Sequence, residues 1–250
     1  MLLALAAGAA APPPDPAALD PSMAQPVPTK LKGYLGPGVL DGRLILGPPP
    51  APDSPQGRAD RAIYEETRAL AGTPRWNLAQ ADNDLWSGGA LKRYACAMGR
   101  DIGERRTPVT LRMIHRVELD VRSVSKPTKD IYDRRRPMLG DDKPICIPRA
   151  KWMDTNASYP SGHATTGWVW GLILAEVQPA RASALAAAAK EAAYSRVVCG
   201  VHYQSDIDAG EMLGAAMVAR LHADPAFRAD LAKARLELAR APAPGGCGVY

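Results

Sequence analysis

SRVVCGVHYQSDIDAGEMLG, residues 195–214, is the stretch that decides the fold, because it joins two helical segments at a glycine. Arg196, His202 and Asp206 follow one another in it at intervals of six and four residues, in a chain with four histidines. We expect one helix to end near Arg196 and the next to begin at Val201 and His202. His202 and Asp206 would then share a helical face, where the carboxylate accepts the Nδ1 proton and leaves Nε2 as a nucleophile.

The composition predicts an all-α chain with one domain. Of the 250 residues, 46% are apolar and only one is Phe, so Ala, Leu and Val carry most of the apolar content. Ala and Leu favour helices, and no useful period-2 strand pattern occurs. A chain of this length has room for one domain of roughly 200 residues. Helices are predicted over residues 58–72, 78–103, 107–132, 161–177, 179–194, 202–222 and 225–240.

The start of the chain differs in composition from the rest. Thirteen of the 24 prolines lie in the first 55 residues, which favours extended or polyproline-like backbone. The run MLLALAAGAAAPPP is typical of a secretory signal, although the first basic residue is Lys30, and a flexible Ala/Pro-rich N-terminus is the alternative. The chain is divided accordingly into a signal peptide and Ala/Pro-rich N-terminus (1–25), a Pro-rich extended arm (26–57), a helical domain (58–241) and a flexible tail (242–250).

The net charge of +5 suits anionic small substrates as well as nucleic acid. No basic stripe interleaved with aromatic residues accompanies the charge, so a nucleic-acid partner is not expected. No later apolar run approaches the roughly 20 residues that span a bilayer, so we expect no membrane partner either.

The four cysteines show neither a CxxC pair nor Cys/His metal spacing. In an exported protein they could pair in three ways, and buried free thiols are the alternative. The sequence leaves this pairing open for Cys96, Cys146, Cys199 and Cys247.

KDIYDRRRP, residues 129–137, carries a cluster of cations. Seven residues of α-helix make nearly two turns, so Lys129 and Arg136 would point the same way and form an anion clamp. The alternative is a solvated basic helix end, in which the positive charges of Arg134 and Arg135 interact favourably with the negative end of the helix dipole.

YPSGH, residues 159–163, precedes an apolar-rich segment and has the character of a helix start. The N–H groups of Ser161, Gly162 and His163 would be unpaired at that helix N-terminus and would face one point. Such an end binds phosphate or sulfate, and His163 would be placed to lend a proton. An ordinary helix cap with a surface histidine is the alternative.

These three blocks together resemble the phosphatidic-acid-phosphatase type 2 (PAP2) superfamily, whose pattern is K-x6-RP, then PSGH, then SR-x5-H-x3-D. Every element occurs in that order, from Lys129 to Pro137, from Pro160 to His163, and from Ser195 to Asp206. KDIYDRRRP, NASYPSGHATTGW and SRVVCGVHYQSDIDAG are similar to the bacterial class A non-specific acid phosphatases. The resemblance implies an all-α, single-domain helical bundle of the PAP2/vanadium-haloperoxidase type.

The resemblance also implies a role for each matched residue. His202 would attack phosphorus and form a phosphohistidine, Asp206 would orient it, and His163 would act as general acid and then as general base. No metal or other cofactor is implied, and no further carboxylate/His set of the kind that a two-metal site requires is present. The phosphoryl oxygens would be held by Lys129, Arg136, Ser161, Gly162 and Arg196.

Further expectations follow from the same resemblance. The protein would be periplasmic or secreted, would hydrolyse phosphate monoesters with broad specificity at acidic pH, and would form a homo-oligomer, a dimer or larger. Inorganic phosphate and vanadate would inhibit it, and phosphotransfer to other alcohols is left open.

Two other functions could use the same residues. Vanadate-dependent haloperoxidases share the oxyanion pocket, but the class A likeness and the chain length disfavour them. A non-catalytic oxyanion-binding protein would need the cations and amides but not the paired histidines. The remaining histidines, His115 and His222, are interpreted as structural.

Overall fold

The regular structure in the described part of the chain consists of helices. The computed structural model describes residues 31–86, 88–248 and 250, so the signal peptide assigned to 1–25 and the first residues of the arm lie outside it. The α-helices are α1 (Gly42–Leu46), α2 (Pro55–Thr67), α3 (Pro74–Ala81), α4 (Gly89–Met98), α5 (Pro108–Tyr132), α6 (Trp152–Thr155), α7 (Gly162–Val177), α8 (Ala182–Val198), α9 (Gln204–Leu221) and α10 (Pro225–Arg240). The prediction of an all-α single domain is confirmed.

Three helices begin with the same local device. Ser54, Thr73 and Asp224 each accept a hydrogen bond from the backbone N–H three residues ahead, at the starts of α2, α3 and α10. A proline follows each of these caps, where its missing N–H costs nothing and its fixed φ suits the first turn. The sequence therefore marks these starts clearly.

Helix α7 is the central helix and packs most extensively against α8 and α9. Its buried residues occur on all sides, as expected of a core helix. The indole of Trp170 donates to the carbonyl of Ile114 in α5 at 3.2 Å, and its ring meets Tyr94 of α4 edge-on at 5.8 Å. None of the helices within residues 31–86, 88–248 and 250 is both long and apolar enough to cross a membrane.

The helix predicted over 78–103 is wrong, because the chain breaks it into α3 and α4 at residues 82–88. Gly88 has a φ of 110°, in the left-handed region that glycine adopts without steric cost. The Asp84 carboxylate accepts hydrogen bonds from the N–H groups of Trp86 and Gly89 at 3.0 and 3.2 Å. These local side-chain bonds replace helical ones and create a loop between the two helices.

The predicted helices over 107–132, 161–177 and 225–240 are confirmed to within one residue at each end. Two other boundaries change the expected geometry. Helix α5 ends at Tyr132 and is followed by Asp133 with a φ of 41°, so Lys129 and Arg136 do not share a helical face. Helix α9 begins at Gln204, so His202 precedes it.

The arm assigned to 26–57 is not extended throughout. It includes α1, which Asp41 caps by accepting a hydrogen bond from the N–H of Arg43, and the first residues of α2. Before α1, the N–H groups of Tyr34 and Leu35 donate to the buried carboxylate of Asp120 in α5 at 2.9 and 2.8 Å. These bonds attach the arm to the helical domain.

The four cysteines form two disulfides, Cys96–Cys247 and Cys146–Cys199. The first joins the tail to α4, so the segment assigned to 242–250 as flexible is covalently held. The second joins the connection between α5 and α7 to the end of α8, where the N–H of Cys146 also donates to the carbonyl of Cys199 at 2.9 Å.

Arg68, in the 3₁₀ turn after α2, joins three segments. Its guanidinium donates to the carbonyls of Val197 and Val198 at 2.8 and 2.6 Å, at the end of α8, where carbonyls lack partners within the helix. It also donates to the carbonyl of Pro144 at 2.7 Å. The side chain is only 7% exposed, so these carbonyls have little access to water.

We expect Arg68→Met to lower the free energy of unfolding by roughly 2–4 kcal/mol, because it keeps the apolar stem but leaves buried carbonyls without donors. Urea unfolding followed by circular dichroism measures this. Arg58→Met, at an exposed position of α2, is the matched control and should change stability little. Equal losses in the two variants would contradict the assignment.

Candidate active site

His202 lies in the connection between α8 and α9. Gly200 turns the chain there with a φ of 84°, and a Cβ at this position would come within 2.3 Å of the Arg68 guanidinium. His202 follows two residues later and is only 2% exposed. The expectation that His202 and Asp206 share a helical face is therefore wrong: Asp206, in the first turn of α9, contacts a histidine that precedes the helix.

The contacts of the His202 ring determine its tautomer. Nη1 of Arg136 lies 3.3 Å from Nε2, and because a guanidinium only donates, Nε2 must accept. The proton of the neutral ring is then on Nδ1, which faces Oδ2 of Asp206 at 3.4 Å. This distance is long for a hydrogen bond, and such bonds often tighten only when substrate binds. Nε2 consequently carries the lone pair that a nucleophile needs.

Asp206 is fully buried and links several parts of the site. Its Oδ2 accepts a hydrogen bond from the N–H of Tyr203 at 2.8 Å, and its Oδ1 accepts one from Arg134 at 2.6 Å. Its backbone carbonyl accepts the N–H of Ser161 at 2.9 Å. The residue that faces His202 therefore also docks the start of α7 against the start of α9.

Burial lowers the pKa of His202 well below its usual value, and nearby positive charge lowers it further. The charges come from Arg136, Lys129, Arg196 and His163, in decreasing order of effect. The structure thus brings the predicted cations and both predicted histidines around one point. Burial and these charges therefore favour the neutral imidazole, whose lone pair is then available.

Lys129 and Arg136 converge through the 138–160 connection rather than through a shared helix. Nζ of Lys129 donates to the carbonyl of Ala157 at 2.5 Å. Arg136 donates from Nε to the carbonyl of Asn156 and from Nη2 to its side-chain oxygen, both at 2.8 Å. This connection contains the short helix α6 and orients both cations.

The loop between α3 and α4 contacts two further site residues through Asn83. The side-chain oxygen of Asn83 accepts a hydrogen bond from Arg196 at 2.9 Å. Its carbonyl lies 3.1 Å from Nε2 of His163, which must donate because a carbonyl only accepts. The preceding residue, Asp82, holds the loop in place through a buried ion pair with Arg93 and a hydrogen bond from Ser195.

The PSGH segment starts α7, as predicted. The Ser161 side chain accepts the N–H of Ala164 at 3.3 Å and so caps the helix. The expectation that the Ser161 N–H is unpaired is wrong, because it donates to Asp206. The predicted anion cradle is therefore restricted to the next amides, beginning with Gly162. A Cβ added to Gly162 would meet nothing within 4 Å, so there is open space beside this amide.

A cavity of about 440 Å³ adjoins this cluster on the side of Arg136. Its walls carry side chains of both charges and three apolar side chains. Neither His202 nor His163 lines it, so it lies beside the point where the cations converge. The lining residues are Asp133, Arg134, Arg135, Arg136, Leu139, Met153, Asp154, Asn156 and Ala157.

Four residues that hold the cluster together were not predicted from the sequence: Asn83, Asn156, Arg134 and Asp60. Asn156 and Arg134 lie inside segments that carry motifs, so their closeness in sequence to the matched residues could have indicated that they belong to the site. No local pattern marks Asp60, because its partner Arg134 is 74 residues away.

The PAP2 superfamily model matches residues 120–229, which contain all three motif blocks. Over 202 residues the chain is 38% identical to an acid phosphatase of Zymomonas mobilis, covering 80% of this chain and 76% of that protein. The chain belongs to the PAP2 superfamily. The chain is also 36% identical over 201 residues to a non-specific acid phosphatase of Salmonella typhimurium, covering 80% of each protein.

A non-specific acid phosphatase of Providencia stuartii is 34% identical over 203 residues, covering 80% of this chain and 82% of that protein. The predicted resemblance is confirmed, and the activity is that of a PAP2 acid phosphatase. A solved structure of a transmembrane PAP2 type phosphatidylglycerolphosphate phosphatase from Bacillus subtilis aligns at 18% identity and a TM-score of 0.47, covering 69% of this chain and 87% of that one.

Lys129→Met should move the acidic limb of the kcat/KM profile to higher pH. The Lys129 charge lowers the pKa of His202, so its removal raises that pKa and protonates the imidazole sooner as pH falls. Values of kcat/KM measured over about four pH units, from roughly pH 3 to 7, define the position of this limb. Lys126→Met, at an exposed position of the same helix, should leave it unchanged. An acidic limb that stays in place in Lys129→Met would contradict the coupling.

Proposed function

We propose that this acid phosphatase hydrolyses a broad range of phosphate monoesters through a phosphohistidine on His202, without a metal ion. The state of the His202 ring is the observation that carries the proposal. The ring is buried and neutral, its Nε2 lone pair points to Arg136, and positive charges surround it. A phosphoryl dianion is the group that such a site attracts, and it would meet the nucleophile directly.

In the first step, the Nε2 lone pair of His202 forms a bond to phosphorus. The bond from phosphorus to the alcohol oxygen breaks, its electron pair passes to that oxygen, and His163 delivers a proton to it. The His202 ring becomes cationic, and the Asp206 carboxylate beside Nδ1 stabilises that charge. Arg136 exchanges its contact with Nε2 for one with a phosphoryl oxygen.

In the second step, water attacks phosphorus while His163 takes one of its protons. The nitrogen–phosphorus bond breaks, its electron pair returns to Nε2, and inorganic phosphate leaves. An alcohol in place of water would give phosphotransfer through the same intermediate, and we include this as a side activity.

The phosphoryl oxygens would be held by two kinds of donor. Lys129, Arg136 and Arg196 bring full positive charges, and the Ser161 hydroxyl and the Gly162 amide add dipoles at the start of α7. These groups supply the charge that metal ions supply in two-metal phosphatases, which supports catalysis without a metal.

We also propose that the enzyme acts outside the cytoplasm, in the periplasm or after secretion. Disulfides persist in oxidising compartments, and two are formed here. The apolar start of the chain, typical of a secretory signal, supports the same conclusion. A homo-oligomer, dimer or larger, stays a prediction from the family.

Neither alternative function is favoured by an observation. The relatives at 34–38% identity are acid phosphatases, which disfavours a haloperoxidase. A non-catalytic oxyanion-binding protein would not need a second histidine or a carboxylate that faces the first.

His202→Ala should lower hydrolysis of p-nitrophenyl phosphate at least about 10³-fold, because it removes the nucleophile, while inorganic phosphate still binds by calorimetry. His222→Ala, at a half-exposed histidine paired with Glu176, is the control and should keep wild-type activity. Full activity of His202→Ala would exclude the phosphohistidine route. Wild-type activity should also survive EDTA, and a loss that a divalent metal restores would exclude the metal-free mechanism.

His163→Asn should slow the hydrolysis of alkyl phosphates far more than that of p-nitrophenyl phosphate. A poor leaving group needs the proton that His163 supplies, whereas p-nitrophenolate leaves without it, so we expect losses of about 10³-fold and about tenfold. Steady-state kcat/KM for a series of esters with increasing leaving-group pKa measures the difference. An equal loss across the series would contradict the role of His163.

A further inference from the structure

Arg134 is buried between two carboxylates beside the proposed nucleophile. Its Nη1 donates to Asp206 at 2.6 Å and its Nη2 donates to Asp60 at 2.8 Å. Both carboxylates are fully buried, and the Arg134 side chain is 11% exposed. Asp60 belongs to α2, Arg134 to the segment after α5, and Asp206 to α9, so the cluster joins three elements.

Asp60 attaches this cluster to the start of α9. The N–H of Ser205 donates to Oδ1 of Asp60 at 2.9 Å, and the Ser205 hydroxyl donates to Oδ2. Nη1 of Arg134 lies 2.7 Å from the same hydroxyl, and its guanidinium lies over the Tyr203 ring at 4.3 Å. The guanidinium therefore cannot turn without disturbing the first residues of α9.

These contacts divide the two oxygens of Asp206 between different tasks. Arg134 occupies Oδ1, whereas Oδ2 accepts the Tyr203 N–H and faces Nδ1 of His202. Without the Arg134 hydrogen bond, the Asp206 carboxylate could rotate about its Cβ–Cγ bond and move Oδ2 away from the imidazole. Arg134 thus controls the orientation of the group that orients His202.

The cluster also has a defined charge. Asp60, Arg134 and Asp206 together carry one excess negative charge while His202 is neutral. When Nε2 bonds to phosphorus, the ring becomes cationic and the excess is balanced. An interaction that becomes stronger during the reaction accelerates it, so this charge favours the intermediate over the resting state.

Two tyrosines, Tyr159 and Tyr203, and the Asp208 carboxyl of α9 also interact with this cluster. Burial raises the pKa of Asp208, and the Asp60 and Asp206 carboxylates raise it further. Burial raises the pKa of Tyr159 to about 12 and raises that of Tyr203, so neither carries charge in acidic solution. The pKa of Arg134 is raised although burial opposes it, because Asp206 and Asp60 both pair with it.

We propose that Arg134, anchored by Asp60, is a positioning residue for phosphoryl transfer: it sets the orientation of Asp206 and, with Asp60, the charge that stabilises the His202 imidazolium. The proposal rests on the proposed function, in which His202 is the nucleophile. Arg134 occupies one of the six unspecified positions of the K-x6-RP motif, and it touches no substrate in this scheme.

The test compares Arg134→Met, Arg134→Lys and Asp60→Asn with Arg135→Met, at the exposed neighbouring arginine. Each purified full-length variant is assayed for kcat, KM and the acidic limb of the pH profile, with the folded fraction measured by circular dichroism. Arg134→Met should lower kcat on the order of 100-fold with KM within about threefold, because the loss arises after binding. Its acidic limb should move to higher pH, since two buried carboxylates without a cation retain a proton more strongly.

Arg134→Lys keeps the charge, so it should retain the wild-type acidic limb and lose about tenfold in kcat through poorer geometry. Asp60→Asn should also lower kcat about tenfold, because Arg134 then neutralises Asp206. Arg135→Met should match wild type. If Arg134→Met does not fold, the proposal is tested by Arg134→Lys and Asp60→Asn.

A kcat within about twofold of wild type in Arg134→Met, or in both milder variants if Arg134→Met does not fold, would overturn the proposal. A loss that follows only the folded fraction, with the acidic limb unmoved, would also overturn it and leave Arg134 a structural residue. His202→Ala is assayed in parallel: if it is inactive while the Arg134 variants are normal, this inference alone fails, whereas an active His202→Ala refutes the proposed function itself.

Discussion

Positive charge gathered around a buried, uncharged imidazole is the constraint on which the site depends. Lys129, Arg136 and Arg196 all act on His202, and burial and mutual repulsion both oppose such a cluster. The chain therefore has to supply acceptors that hold the cations in place. The carbonyls of Ala157, Asn156 and Val201 and the Asn83 amide oxygen do so, which explains why three connections between helices pack against the site.

The electrostatic environment of the His202 imidazole is positive on one side and negative on the other. Nε2 faces Arg136, whereas Nδ1 faces Asp206, which belongs to a cluster with excess negative charge. The ring thus lies in a field directed from one nitrogen to the other, and this field selects the tautomer with the proton on Nδ1. The same field is aligned with the charge that moves when a bond forms at Nε2, so the resting structure is already arranged for that change.

Much of this could be predicted because the motifs place reactive residue types at short, recognisable spacings. His202, His163 and the three cations converge, but three of the local geometries predicted for the site were wrong. Lys129 and Arg136 meet through a connection instead of a shared helix, because the chain leaves helical geometry at Asp133.

Residues 82–88 read DNDLWSG, and Asp, Asn, Ser and Gly favour caps and turns, so the sequence did carry a local signal against a helix there. Hydrogen bonds to the Asp84 side chain and the backbone of Gly88 break the helix in this segment. The roles of Asn83 and Asp60 depend on partners 113 and 74 residues away, which periodicity and spacing cannot reveal.

The two disulfides have a topological consequence: they close nested rings, with 151 residues separating Cys96 from Cys247 and 53 separating Cys146 from Cys199. All the motif residues lie inside the outer ring, so a protease that cuts the backbone once anywhere within it leaves the two fragments joined through sulfur. A single nick would separate an uncrosslinked chain, but here both fragments stay together and keep the two halves of the site within reach of each other.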